Sequence, residues 1–223
     1  MCFSASASFG AGIIISTIGF MSLKKVQTPL QYFFAAIPLF FAIQQISEGF
    51  LWLALSDSSY ASMERITTYT FLFFAQIVWP FWIPFSILLL EKEFKNKNIL
   101  KVLLAIGTVV SIYLAYCLIT YNVQAKIIGR HISYIQDYPV FFNRYSGVLY
   151  VLATVLPPYF SSIKKVWILS VAIFISYVIT TILYNDYIVS VWCFFASIIS
   201  TLILVLIQGM NFAHKEEPIL NQS

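Results

Sequence analysis

Residues 66–90 read ITTYTFLFFAQIVWPFWIPFSILLL. These 25 positions contain no Asp, Glu, Lys or Arg, and the charges resume at once on either side, at Glu64-Arg65 and at Glu91-Lys92. A helix needs about 20 mostly apolar residues to cross the hydrocarbon core of a bilayer. A buried strand or an ordinary core helix is shorter, so this segment predicts a transmembrane helix. Working outward from it, six further apolar stretches cover 7–23, 31–55, 98–121, 141–161, 166–184 and 187–208. A β-barrel would instead show alternation over about 10 residues per strand, and these runs are continuous. The reading is an all-α bundle of seven transmembrane helices over residues 1–209, followed by a short tail over 210–223.

Composition agrees. The 223 residues are 60% apolar and only 10% charged, where a soluble chain carries about 25% charged residues. Disorder is excluded by the hydrophobicity. Collagen-like and disulfide-scaffold classes are excluded by 8 Gly, 8 Pro and 3 Cys. The separators between the runs hold nearly all the charge, and positively charged short loops stay in the cytoplasm. Lys24, Lys25, Lys92, Lys95, Lys97, Lys101, Lys164, Lys165 and Lys215 fall on one side, and Arg65, Lys126, Arg130 and Arg144 on the other. Nine against four predicts a cytoplasmic C-terminus and an outer N-terminus. The net charge of +4 is scattered over many loops and does not point to nucleic acid. No basic region precedes the first apolar run, so that run is read as a retained helix and not a secretory signal. Its Ser4, Ser8, Gly12 and Ser16 lie at spacing four, a small-residue face suited to close packing against another helix or to a ligand groove.

Several segments together carry a resemblance. The opening MCFSASASF, Gln44-Gln45-x-x-Glu48-Gly49-x-x-Trp52, Trp79-Pro80-x-Trp82-x-Pro84 and the run 190–196 (SVWCFFA) resemble an uncharacterised bacterial family of small integral membrane proteins whose chains begin MCFSA-x-ASF. The resemblance implies a shared fold and a bacterial inner membrane, and no activity.

Function must therefore be read from the residues. Ionisable groups inside a span are costly and mark functional sites by default. Eight of the nine acidic residues fall in loops or the tail, and Glu48 is the exception. It lies seven residues from the outer end of its helix, roughly 10 Å deep, with Gln44, Gln45 and Trp52 on its face. Gln76 sits at a depth similar to that of Gln44 and Gln45. Cys193, Cys117 and Tyr150 also fall in the outer half, with Cys2 and His131 at the outer face, and Trp79 and Trp192 lie inside their spans at different depths. This pattern predicts a polar, ligand-binding site open to the outside and floored by the three amides. The alternative for Glu48 is a hydrogen bond across the bundle that holds helices together. Pro80 and Pro84 remove helix hydrogen bonds and free carbonyls. Such breaks mark binding sites in transporters, or else form a packed kink.

Residues 127–143 form the longest connection and are read as a loop, with His131 in it. Loops of this length often serve as lids. Cys2 is a weak candidate nucleophile, with its own α-amine, His131 or Glu48 as base, and a disulfide with Cys117 or Cys193 is the alternative. No His-x-x-x-His or Cys-x-x-Cys spacing is present, so no metal is expected, and no cofactor is indicated. A retinal protein would need a Lys in the last helix, and a P-loop or dinucleotide fingerprint is absent. Three functions remain. The first is a transporter or binding protein for a small molecule or ion at Glu48, with the bilayer as its other partner. The second is a membrane enzyme working at the outer face through Cys2, His131 and Glu48. The third is a structural partner subunit.

Overall fold

The computed structural model describes residues 4–129, 131–183 and 195–220, with side chains described outside 140–146, 183 and 212–220. Cys2, Arg130, Trp192 and Cys193 lie outside the described residues. Helix α1 (Ala5–Lys24) starts at Ser4, whose hydroxyl accepts from the Ala7 N–H. A short α2 (Gln31–Ala35) leads into α3 (Ile37–Ser56), with Pro38 in its first turn, where a missing N–H costs nothing. A 3₁₀ turn (Ser58–Met63) then opens a long helical run through α4 (Glu64–Leu72), a π-helical segment (Phe73–Val78) and α5 (Trp79–Leu90). Helix α6 (Phe94–Thr120) follows, then strands β1 (Val123–Ile128) and β2 (His131–Gln136). Helices α7 (Val140–Tyr159), α8 (Trp167–Leu183) and α9 (Ala196–Leu220) complete the described chain. α9 continues through positions 210–220, which the sequence reading assigns to a tail.

Four helical runs are long and apolar enough to cross a membrane: Ala5–Lys24, Gln31–Ser56, Ser58–Leu90 and Phe94–Thr120. Shorter apolar helices cover Gly147–Tyr159, Trp167–Ile182 and Ala196–Asn211. The surface of α6 carries the mark of a lipid-facing element. Val102, Val109, Ile112 and Ile119 are 60 to 85% exposed and repeat at helical spacing down one side, which in water would be a large unpartnered patch. Its other side joins the interior. Leu100 and Leu103 pack with Phe34, Ile37, Trp79, Ile83, Ile87, Leu169 and Ile203 in the main core. Leu114, Cys117 and Leu118 pack with Phe71, Leu72, Val123 and Tyr138 in a second core nearer the hairpin.

The small-residue face of α1 serves helix packing. A Cβ on Gly12 would fall 2.7 Å from Ile46 Cγ1, so α1 and α3 approach more closely than Ala would permit. Phe9 meets Phe50 edge-on at 5.0 Å, which sets the start of α1 beside the end of α3.

The break around Pro80 has a local cause. Pro80 has no N–H for the Gln76 carbonyl and its ring crowds that carbonyl. The helix yields by slipping to wider hydrogen bonds, and the Trp79 N–H bonds to Phe74 O, five residues back. The Ala75 carbonyl then has neither Trp79 nor Pro80 as donor. The Tyr150 hydroxyl takes it at 2.6 Å, and the Ser111 hydroxyl donates to Ile77 O at 2.8 Å. One turn on, the Pro80 carbonyl loses its donor to Pro84, and the Gly107 backbone lies so close against it that no Cβ would fit. The two prolines therefore make a packed kink, with α7 and α6 covering the Ala75 and Ile77 carbonyls and Gly107 of α6 packed on the Pro80 carbonyl.

One connection differs from the sequence reading. Much of the stretch taken as an open loop is a two-stranded antiparallel hairpin, with Val123 opposite Gln136 and Ile128 opposite His131. Val123, Ala125 and Ile132 face inward and are buried, while Gln124 and Lys126 are exposed. Gly129 in the two-residue turn has φ +62°, the left-handed region that such hairpin turns demand. Strand alternation and a Gly-initiated turn outweighed the loop character that its position between two spans suggested.

Candidate functional site

The polar stripe of α3 is fully interior. Glu48 has no exposed surface, and Gln44, Gln45 and Trp52 are buried beside it. The Gln45 Nε2 donates to Glu48 Oε2 at 3.0 Å, an i,i+3 pair along one helix face. Gln44 turns the other way. Its Oε1 accepts from Trp79 Nε1 at 2.9 Å, and Phe41 stacks on the Trp79 ring at 4.0 Å. That bond ties α3 to the kinked helix through an amide and an indole, both buried.

Above Glu48 the hairpin forms a roof. Leu51 and Trp52 of α3 pack against Ala125 of β1 and Ile132 of β2. The Trp52 indole N–H beneath this roof has no hydrogen-bond partner among the described residues, and neither does the Ser8 hydroxyl on α1. Since Phe9 stands against Phe50, Ser8 lies at the level of Glu48. Buried tryptophan N–H groups are normally satisfied, so two unused donors at the level of a buried carboxyl are uncommon.

Gln76 belongs to the hairpin side. Its Nε2 donates to Gln136 Oε1 at 2.9 Å, and its Oε1 accepts from the Tyr138 hydroxyl at 3.0 Å. Tyr134 stacks on Phe71 at 4.9 Å with planes 4° apart, locking β2 onto α4. Gln136 and Tyr138 are partners that sequence reasoning missed, because nothing local links residue 76 to residues 60 positions away. His131 begins β2 at the hairpin turn, half-buried, and burial holds its imidazole below the usual range. Cys117 is a buried free thiol in the core of α6, not one half of a disulfide. Cys2, Trp192 and Cys193, named as site residues from sequence, lie outside the described residues.

A second buried carboxylate escaped the sequence reading. Glu91, at the end of α5, is 3% exposed. It accepts from the N–H groups of Lys92 and Glu93, and from both the N–H and the hydroxyl of Ser162. Desolvation pushes its carboxyl up, but the Ser162 hydroxyl and these backbone donors outweigh it and hold the carboxyl below its ordinary value. Glu91 thus fastens the turn before α6 to the α7–α8 turn at the opposite end from Glu48.

Membrane-length apolar helices, a lipid-type outer surface and an interior polar stripe define the class: a helical membrane protein with buried ionisable groups. The chain belongs to the family described as a family of unknown function (DUF6629), whose profile covers residues 1–217. The uncharacterised family that its opening and tryptophan motifs resemble is thereby shown. No curated protein and no solved structure matches it.

Proposed function

We propose that the protein crosses the bacterial inner membrane seven times, N-terminus outside and C-terminus in the cytoplasm, and binds and carries a small molecule or ion at Glu48. The observation that carries this reading is the fully buried Glu48, roofed by the hairpin. At its level, the Trp52 N–H and the Ser8 hydroxyl have no partner among the described residues. A carboxyl can take a proton or a ligand's donor, and the two unused donors can serve a ligand's acceptors. Four long and three shorter apolar helices support the seven crossings, and nine against four loop cations support the orientation.

Two measurements test it. A C-terminal reporter active only in the cytoplasm is expected to be active, and a periplasm-active one silent; the reverse overturns the threading. In proteoliposomes loaded with a pH-sensitive dye, an imposed proton gradient is expected to decay faster with wild type than with Glu48→Gln. That substitution keeps shape and hydrogen bonding but cannot ionise. Glu48→Ala also strands the Gln45 amide and is expected to cost about 1–3 kcal/mol of stability. Equal proton flux, and equal melting across pH for wild type and Glu48→Gln, would sink the assignment.

A further inference from the structure

A separate cavity of about 260 Å³ opens at the outer end of α4, between its first turns and β1. Its walls include Glu64, Arg65, Thr68 and Tyr69 on the helix, and Val123 and Ala125 on the strand. Three features set it apart from a surface crevice. First, Glu64 and Arg65 carry opposite charges side by side, yet neither is in an ion pair among the described residues. Second, the Arg65 guanidinium, though exposed, lies 5.9 Å over the Tyr69 ring, one turn on, which holds its charge along the wall. Third, Thr68 is 3% exposed, and its hydroxyl has no hydrogen-bond partner among the described residues. Its neighbour Thr67 shows the ordinary alternative, bonding back to Met63 O at 2.8 Å. A buried hydroxyl without a partner costs free energy that a ligand's polar atom would recover.

We propose that this cavity binds a small zwitterion of the α-amino-acid class. Arg65 takes the carboxylate, with its planar donors suited to a two-point grip, Glu64 takes the ammonium, and Thr68 bonds whichever group reaches the base of the cavity. Val123 and Ala125 supply an apolar wall that fits a short side chain. The site is independent of Glu48, so failure of either reading leaves the other standing.

The test uses the purified full chain in detergent, titrated calorimetrically with L-alanine and with its two halves, propionate and ethylamine. L-Alanine is expected to bind saturably, and each half at least tenfold more weakly. Arg65→Gln is expected to weaken L-alanine at least tenfold while leaving ethylamine unchanged. Glu64→Gln is expected to do the mirror image, sparing propionate. Thr68→Val, of similar shape, is expected to weaken L-alanine only. Arg65→Lys keeps the charge and restores part of the binding, which separates lost recognition from lost folding. Lys126→Gln, on the opposite face of β1, is expected to change nothing. Absence of saturable L-alanine binding overturns the proposal. So does a Lys126→Gln variant that weakens binding as much as Arg65→Gln, or a pair of Glu64 and Arg65 variants that bind as wild type does.

Discussion

If the π-helical segment exists because Pro80 lacks an N–H, the Tyr150 hydroxyl is needed only while Pro80 is present. Tyr150→Phe removes the 2.6 Å bond to Ala75 O and leaves a carbonyl without a donor inside the bundle. Stranding a buried acceptor costs about 1–3 kcal/mol, and interhelical bonds in membrane proteins sit at the lower end, up to roughly 1.7 kcal/mol. The expected cost is therefore about 1–2 kcal/mol. Pro80→Ala returns an N–H to position 80, so the segment can regain four-residue spacing and Ala75 O can pair with the Trp79 N–H. In that background Tyr150→Phe should cost about 0.5 kcal/mol or less, a coupling of about 1 kcal/mol between two residues 70 positions apart in sequence. Reversible unfolding of the four proteins in mixed micelles measures the cycle. An unchanged Tyr150→Phe cost in the Pro80→Ala background would refute the account of the kink, as would no cost in the wild type.

Glu91 is held below its ordinary value in the folded chain. Its contribution is therefore full above the unfolded carboxyl range and is lost as pH falls through the folded value; wild-type melting should drop below about pH 4.5, and Glu91→Gln should flatten that drop while losing about 1.5–3 kcal/mol at neutral pH. His131 is depressed by burial, so the unfolded hairpin takes up protons first as pH falls through about 6.5; protection factors in residues 123–136, corrected for the intrinsic exchange rate, should fall below that pH, and His131→Gln should remove that fall. Ile132 is fully buried in the roof, and Ile132→Ala should cost about 2–5 kcal/mol of roof stability, read as faster exchange over the hairpin with exchange in α6 unchanged.

The membrane-length helices were legible because charge is excluded from long runs: the apolar stretch read over 66–90 corresponds to Ser58–Leu90, and that over 98–121 to Phe94–Thr120. The break at Pro80 was legible too, since a missing N–H is a property of the residue. Its resolution was not, because the covering hydroxyls come from Ser111 and Tyr150 on other helices. The hairpin carried a readable signal, the apolar–polar alternation of Val123-Gln124-Ala125-Lys126 before Gly129, masked by its place between two apolar runs. Glu91 read as a solvated loop charge because its partner Ser162 is 71 positions away. Burial of the stripe from Gln44 to Trp52 followed from its spacing. Depth counting placed Gln76 level with it but could not say which way an amide points, and Gln76 bonds Gln136 and Tyr138 of the hairpin segment.

The hairpin connects the two candidate sites physically. Ala125 lines the Glu64–Arg65 cavity and also packs on Trp52 in the roof over Glu48. Ala125 of β1 thus belongs both to the cavity wall and to the roof over Glu48. On the proposed reading, a ligand passing from the cavity to Glu48 has to displace β1, and the resistance is measurable in kind. Ile132 and Ala125 leave their apolar contacts with Leu51 and Trp52, at about 25 cal/mol per Å² of apolar surface exposed, and Gln136 and Tyr138 give up their bonds to Gln76. The sum of one isoleucine burial and two hydrogen bonds, about 3–5 kcal/mol, corresponds to an open fraction of roughly one in a hundred to one in several thousand. Such a minor state suits a gate that opens rarely and closes by itself. Occupancy of the crevice by a ligand that also contacts β1 would bias that equilibrium only by its difference in affinity between the two states. The two sites share only this strand, so each binds its own ligand without the other, and any effect of one on the other passes through β1.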